Sequence, residues 1–169
     1  MTIFALIVVF PICMACAVFS DVMTMTISNK IPIALIASFF IFCLVMGTPL
    51  ATVGAHAGIG FVALAITFGC FAAGWMGGGD AKLIAATALW FGPGTELLDY
   101  LLMSSLYGGV LTLLLLVLRS VMMPATGIGF LDRLLRRGGG VPYGVALGAA
   151  GITIFASGAW YETALRGLA

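Results

Sequence analysis

The chain has 169 residues, 63% hydrophobic and 8% charged, with a formal net charge of +1. Soluble domains carry roughly 25% charged residues, so this composition excludes a water-soluble globule and points to a polytopic membrane protein with the lipid bilayer around it. No basic tract and no interleaving of aromatic and basic residues occurs, which argues against nucleic acid as a partner.

A helix crosses roughly 30 Å of hydrocarbon with about 20 apolar residues. On that measure the sequence predicts six spans, at residues 2–20, 31–47, 53–75, 81–94, 97–118 and 141–160. The expected fold is all-α: a single domain over residues 1–169, six transmembrane helices, and an N-terminus outside.

No lysine or arginine precedes the first apolar run. It lacks the basic region of a signal peptide and reads as a retained helix. Cys13 and Cys16 lie within it in Cys-x-x-Cys spacing. No second pair or nearby histidine completes a four-ligand zinc site, so these two, with Cys43 and Cys70, are read as packing residues. The run ends at Asp21. A carboxylate at a bilayer boundary costs free energy unless it is solvated, paired or used. Asn29 follows, before Pro32. It either forms a turn or hydrogen-bonds an active-site loop.

The third span carries Gly54 and Gly58 at helix-contact spacing. His56, near its outer end, reads as structural. Between the third and fourth spans stands Gly77-Gly78-Gly79-Asp80. Glycines there permit unusual φ/ψ and the close approach of an extended substrate backbone. Asp80 alternatively reads as a helix N-cap. Lys82 either stabilises a carboxylate or snorkels at the boundary. The fourth span is short, about 21 Å at 1.5 Å per residue. Asp80 is therefore expected below the membrane surface, where non-helical backbone is tolerated only beside a wet cavity or protein.

Residues 119–140 form the one substantial polar connection. Phe130, Leu131, Leu134 and Leu135 alternate there with Asp132, Arg133, Arg136 and Arg137. This predicts a cytoplasmic amphipathic helix with its arginines on anionic headgroups, or a solvated basic loop. Gly138, Gly139 and Gly140 read as a flexible hinge. The last span opens with Val141-Pro142-Tyr143-Gly144, and Gly144 and Gly148 form a second small-residue pair.

With the N-terminus outside, Lys30, Lys82, Arg119, Arg133, Arg136 and Arg137 fall inside and Arg166 alone outside, beside Glu96, Asp99 and Glu162. Asp21, Asp80 and the Pro142 turn then share the cytoplasmic face. Two carboxylates brought together share one proton and activate a water, which is aspartic-protease chemistry. The competing readings are a small six-span ion- or proton-coupled transporter using Asp21 and Asp80, and a non-catalytic assembly factor. No internal repeat favours the transporter. No Ser-His or Glu-x-x-His arrangement favours a serine or zinc protease.

Gly77-x-Gly79-Asp80-x-Lys82 resembles the GxGD signature of intramembrane aspartic proteases. Together with Asp21, Asn29 and Val141-Pro142-Tyr143-Gly144, it makes the whole chain resemble the type IV prepilin peptidases. Longer members carry a four-cysteine zinc-binding insert between their first two helices. The stretch from Asp21 to Pro32 is too short for one, so the resemblance is to the compact CpaA/TadV-like form of tight-adherence pili. It implies a multi-pass aspartic endopeptidase of the bacterial plasma membrane, without metal or other cofactor. Asp21 and Asp80 would be catalytic, with Gly77, Gly79, Lys82, Asn29, Pro142 and Gly144 supporting the active-site loop. The implied substrate is a prepilin-like membrane protein, with a short basic leader, a glycine and a hydrophobic helix, cut at the cytoplasmic membrane boundary.

Overall fold

The computed structural model describes residues 2–122 and 127–158, with side chains from residue 8 onward. Glu162, Arg166 and the end of the last predicted span lie outside the described residues. The fold is all-α: α1 (Thr2–Thr24), α2 (Lys30–Met46), α3 (Leu50–Ala72), α4 (Gly78–Phe91), α5 (Thr95–Val121), α6 (Gly129–Leu135) and α7 (Tyr143–Ala156). Two helices, α3 and α5, are long and apolar enough to cross a bilayer by themselves. Residues 8–24 of α1, with α2 and α7, form shorter apolar helices.

The burial pattern is that of a protein in lipid. α3 buries only Gly60 and Thr67 along its length, while Phe61 is 72% exposed. Leu44, Leu113 and Ile66 face outward in the same way. Water would not tolerate so wide an apolar surface on a monomer. α4 is the opposite case: Ala81 and every residue from Leu83 to Phe91 are buried. It packs against α2, α3, α5 and α7 and forms the axis of the bundle.

Trp90 of α4 anchors the core. Its indole N–H donates to the Leu35 carbonyl at 2.9 Å, so its polar edge is satisfied in an apolar setting. The rings of Phe10, Phe39 and Phe155 meet it edge-on, with centroids 5.4, 5.7 and 5.8 Å away. His56 Nδ1 lies 2.9 Å from the Leu89 carbonyl and its ring stacks on Phe39, the structural role expected of it.

Three features differ from the sequence reading. First, α4 begins at Gly78, three residues before the predicted start, and ends at Phe91, three before the predicted end. Glycine is a poor helix former, which is why the Gly77–Asp80 run reads as a loop. Here Gly78, Gly79 and Asp80 make the first turn, and Gly92 at φ +65° stops the helix.

Second, a Cβ on Gly54 or Gly58 would meet nothing within 4 Å among the described residues, so this pair packs against no described helix. Gly60 does, against Leu89 and the Ala85 carbonyl. The Gly144 and Gly148 pair does pack. With Gly151 it forms a small-residue face of α7 that lies on Asp21, Val18 and Met14 of α1.

Third, the 119–140 connection is shorter and more tightly held than expected. α5 runs on through Arg119, which is only 7% exposed. Its guanidinium donates to the carbonyls of Leu134, Gly139 and Gly140 at 2.7, 2.8 and 2.7 Å. Arg119 is thus an internal clamp, and Gly139 and Gly140 are tied down rather than free to hinge. Arg133, Arg136 and Arg137 remain exposed, while Leu135 of α6 is buried.

Candidate active site

Asp21 lies in the last turn of α1. Beyond it the chain reverses through Met25, held at φ +57°. The hydroxyls of Ser20 and Thr24 both donate to the Thr26 carbonyl, at 2.7 and 3.1 Å, and fasten this turn. The turn returns Ile27 to the core beneath Asp21. On the other side, Arg133 of α6 donates to the Met23 carbonyl at 2.7 Å, satisfying an orphan acceptor at the end of α1.

The Asp21 carboxylate is 5% exposed. Its Oδ2 accepts the backbone N–H of Gly144 at 2.7 Å. Pro142 is the residue before α7, so this N–H belongs to the helix's first turn. Such groups lack intrahelical partners, and the helix end favours negative charge. A side chain on Gly144 is impossible without movement: its Cβ would lie 2.8 Å from Asp21 Oδ2 and 2.8 Å from Ile27 Cδ1.

Asp80 occupies the matching position on α4. It is the third helical residue after the N-cap Gly77, and the Gly77 N–H donates to its carboxylate. This is the reciprocal half of a capping box, so the expected capping role falls on Asp80 from inside the first turn. A Cβ on Gly77 would come 3.0 Å from Asp80 Oδ2, and one on Gly79 would come 3.1 Å from Ile27 Cβ. Gly77 has φ −73° and Gly79 is helical, so neither needs the positive φ the sequence reading allowed for. What they supply is room.

Ile27 therefore sits between the starts of two helices, against Gly79 of α4 and Gly144 of α7. It draws both helix N-termini, each with its carboxylate, to one place. Asp21 is near enough for its charge to be felt at Asp80. The structure brings Asp21, Asp80, Gly77, Gly79, Pro142 and Gly144 together at one end of the bundle.

Lys82 and Asn29 are arranged differently. Lys82 Nζ donates to Asn29 Oδ1 at 3.0 Å, joining α4 to the start of α2. Both residues line an apolar groove of about 530 Å³ between α2, α3 and α4. Lys82 is thus bonded to Asn29 rather than to either carboxylate, and Asn29 serves the loop by holding this lysine.

Asp80 opens onto a separate cavity of about 700 Å³, with Gly77, Trp75, Ser104, Tyr143 and Leu147 among its walls. Tyr143 donates its hydroxyl to the Ser104 carbonyl at 3.3 Å, which fixes the residue beside Gly144. Sequence reasoning missed Ile27, Ser104 and the clamp on Arg119. Only Arg119 left a signal, as a charge at the end of an apolar run.

A buried carboxylate at the end of α1, held by the first turn of α7, and a half-buried one in the first turn of α4, which lines a cavity, meet at one end of a lipid-exposed bundle. The family model described as the type IV leader peptidase family matches residues 8–117, which include both aspartates. The chain belongs to the type IV leader peptidase family. No curated protein and no solved structure was found to match it. Membership makes it a membrane-embedded protease of the leader-peptidase kind, acting on prepilin-like proteins. The matched stretch stops before α6 and α7, so the Gly144 contact to Asp21 is a property read from this chain's own structure.

Proposed function

We propose that this member is an aspartic endopeptidase with Asp21 and Asp80 as its catalytic pair. It removes the basic leader of a prepilin-like protein at the cytoplasmic boundary of the bacterial plasma membrane, as the compact peptidases of tight-adherence pili do. The observation that carries this is the convergence of the two aspartates around Ile27, with Asp80 on a cavity, in a chain of this family.

In the reaction, one carboxylate is ionised and the other protonated, because neighbouring like charges do not both ionise. The ionised group takes a proton from a water, whose oxygen attacks the scissile carbonyl carbon. The protonated group hydrogen-bonds the carbonyl oxygen as negative charge develops there. Collapse breaks the C–N bond, and the departing amine takes up a proton from the pair. Asp80 lines the cavity and meets the carbonyl; Asp21, behind it, shares the proton. The Gly144 and Gly77 N–H groups hold the two carboxyls in place.

Co-expression with a candidate prepilin tests this. The parent chain yields leader-free pilin, whereas Asp21→Asn and Asp80→Asn yield only the precursor. Asn still accepts the Gly144 N–H at position 21, so the loss is chemical rather than structural. A substantial fraction of parent cleavage by Asp21→Asn would remove it from the mechanism.

A further inference from the structure

Most hydroxyls on these helices are satisfied locally. Thr67, Thr87, Ser105, Thr112 and Thr153 each donate to the carbonyl four residues back, at 2.7 to 2.9 Å. Ser104 of α5 departs from that habit. It is 3% exposed, and its Oγ has no hydrogen-bond partner among the described residues. The Tyr100 hydroxyl, one turn earlier on the same face and wholly buried, faces Thr87 and Ser104 but likewise makes no full hydrogen bond among the described residues. An unsatisfied buried hydroxyl is destabilising, and native structures contain few. Ser104 lines the same cavity as Asp80 and Gly77, and its own carbonyl is already taken by Tyr143.

A transmembrane substrate has to unwind locally before it is cut. Each unwound residue frees a carbonyl and an N–H, which need partners inside a membrane. We propose that Ser104 is a substrate-binding residue, whose hydroxyl donates to a main-chain carbonyl of the unwound polypeptide beside Asp80. This rests on the peptidase reading above. On this proposal the hydroxyl reaches the cavity that Ser104 lines by rotating about χ1 between staggered positions. The Tyr100 hydroxyl faces Ser104, and donation from it to Oγ leaves the Ser104 proton for the substrate.

The test is Ser104→Ala in the full chain, assayed with a purified prepilin for kcat/KM and for melting temperature. Thr112→Ala, whose hydroxyl is satisfied on the same helix, is the control. If Ser104 binds substrate, kcat/KM falls by about 3- to 10-fold, the range of one neutral hydrogen bond. The melting temperature meanwhile holds or rises, because an unpartnered buried hydroxyl has gone. Thr112→Ala leaves kcat/KM at the parent value. Parent-like kcat/KM in Ser104→Ala overturns the proposal, as does a loss of activity that tracks a lowered melting temperature. A parent chain that cleaves no prepilin instead defeats the peptidase reading itself, so the two failures are told apart.

Discussion

Asp21 and Asp80 are each held by the N–H of a glycine, and the glycines differ in how much room they have. At Gly144 a Cβ would lie 2.8 Å from the Asp21 oxygen it must not displace. At Gly77 and Gly79 the nearest atoms would be at 3.0 and 3.1 Å. Gly144→Ala should therefore be the most damaging of the three single changes. A carboxyl displaced by about 1 Å can lose on the order of 100-fold in rate. The check is cleavage of prepilin by the three variants at equal protein level; a Gly144→Ala variant faster than Gly79→Ala would contradict this ordering. The two carboxyls should also act as one unit. The Asp21→Asn, Asp80→Asn double variant should be scarcely slower than either single one, and the parent rate should follow a bell-shaped pH profile whose limbs belong to the pair. A profile that rises to a plateau would mean a single essential group. Chelators should leave the activity intact. Among the described residues no three His, Cys, Asp or Glu side chains gather into a metal-sized group, and inhibition reversed by added zinc would refute the aspartic mechanism.

The connection from α5 to α7 is positioned by arginines. Arg119 joins the end of α5 to Leu134 of α6 and to Gly139 and Gly140. Those glycines stand just ahead of Pro142 and Gly144, so the clamp sets where α7 begins and where the Gly144 N–H meets Asp21. Hydrogen bonds to a charged group contribute about 1.5–3 kcal/mol each, and removing one buried partner leaves the carbonyls unsatisfied. Arg119→Ala should lower the melting temperature and the cleavage rate together. Arg119→Lys should recover little, because an ammonium does not reproduce the guanidinium's planar fork of donors. Parent-like melting and cleavage in Arg119→Ala would show that α7 is placed by its packing on α1 alone.

At the scale of the molecule, the exposed apolar residues of α2, α3 and α5 surround a buried α4 only 14 residues long. That helix spans about 21 Å, less than the hydrocarbon thickness, so the proposed topology puts its N-terminus and Asp80 below the membrane surface. The proposed topology has six crossings, with the N-terminus outside and the α6 connection in the cytoplasm. It places Arg133, Arg136 and Arg137 on the cytoplasmic side. In a variant lacking the native cysteines, Arg136→Cys should react with an impermeant thiol reagent only after the inner face is opened. Labelling from the outside would reverse the orientation and move the proposed cleavage to the other face.

Much about this protein was legible in the order of its residues. Composition alone dictates a membrane protein, because 8% charged residues cannot cover a globule in water. The rarity of carboxylates singles out Asp21 and Asp80, since each is costly at a bilayer boundary. The lengths of the apolar runs place the long helices, to within a few residues at their ends. It could not place the start of α4, where a glycine run reads as loop by propensity but forms a first turn because Ile27 packs closely on it. Nor could spacing tell which small pairs make contacts: Gly144 and Gly148 do, Gly54 and Gly58 do not. The partners of the polar groups were also hidden. Lys82 bonds Asn29, Arg119 clamps three carbonyls, and the Ser104 hydroxyl has no hydrogen bond among the described residues. A hydrogen bond depends on a few tenths of an ångström between residues as far apart as Asp21 and Gly144. Only the packed tertiary structure sets such distances, whereas hydrophobicity is a property of each residue wherever the chain takes it.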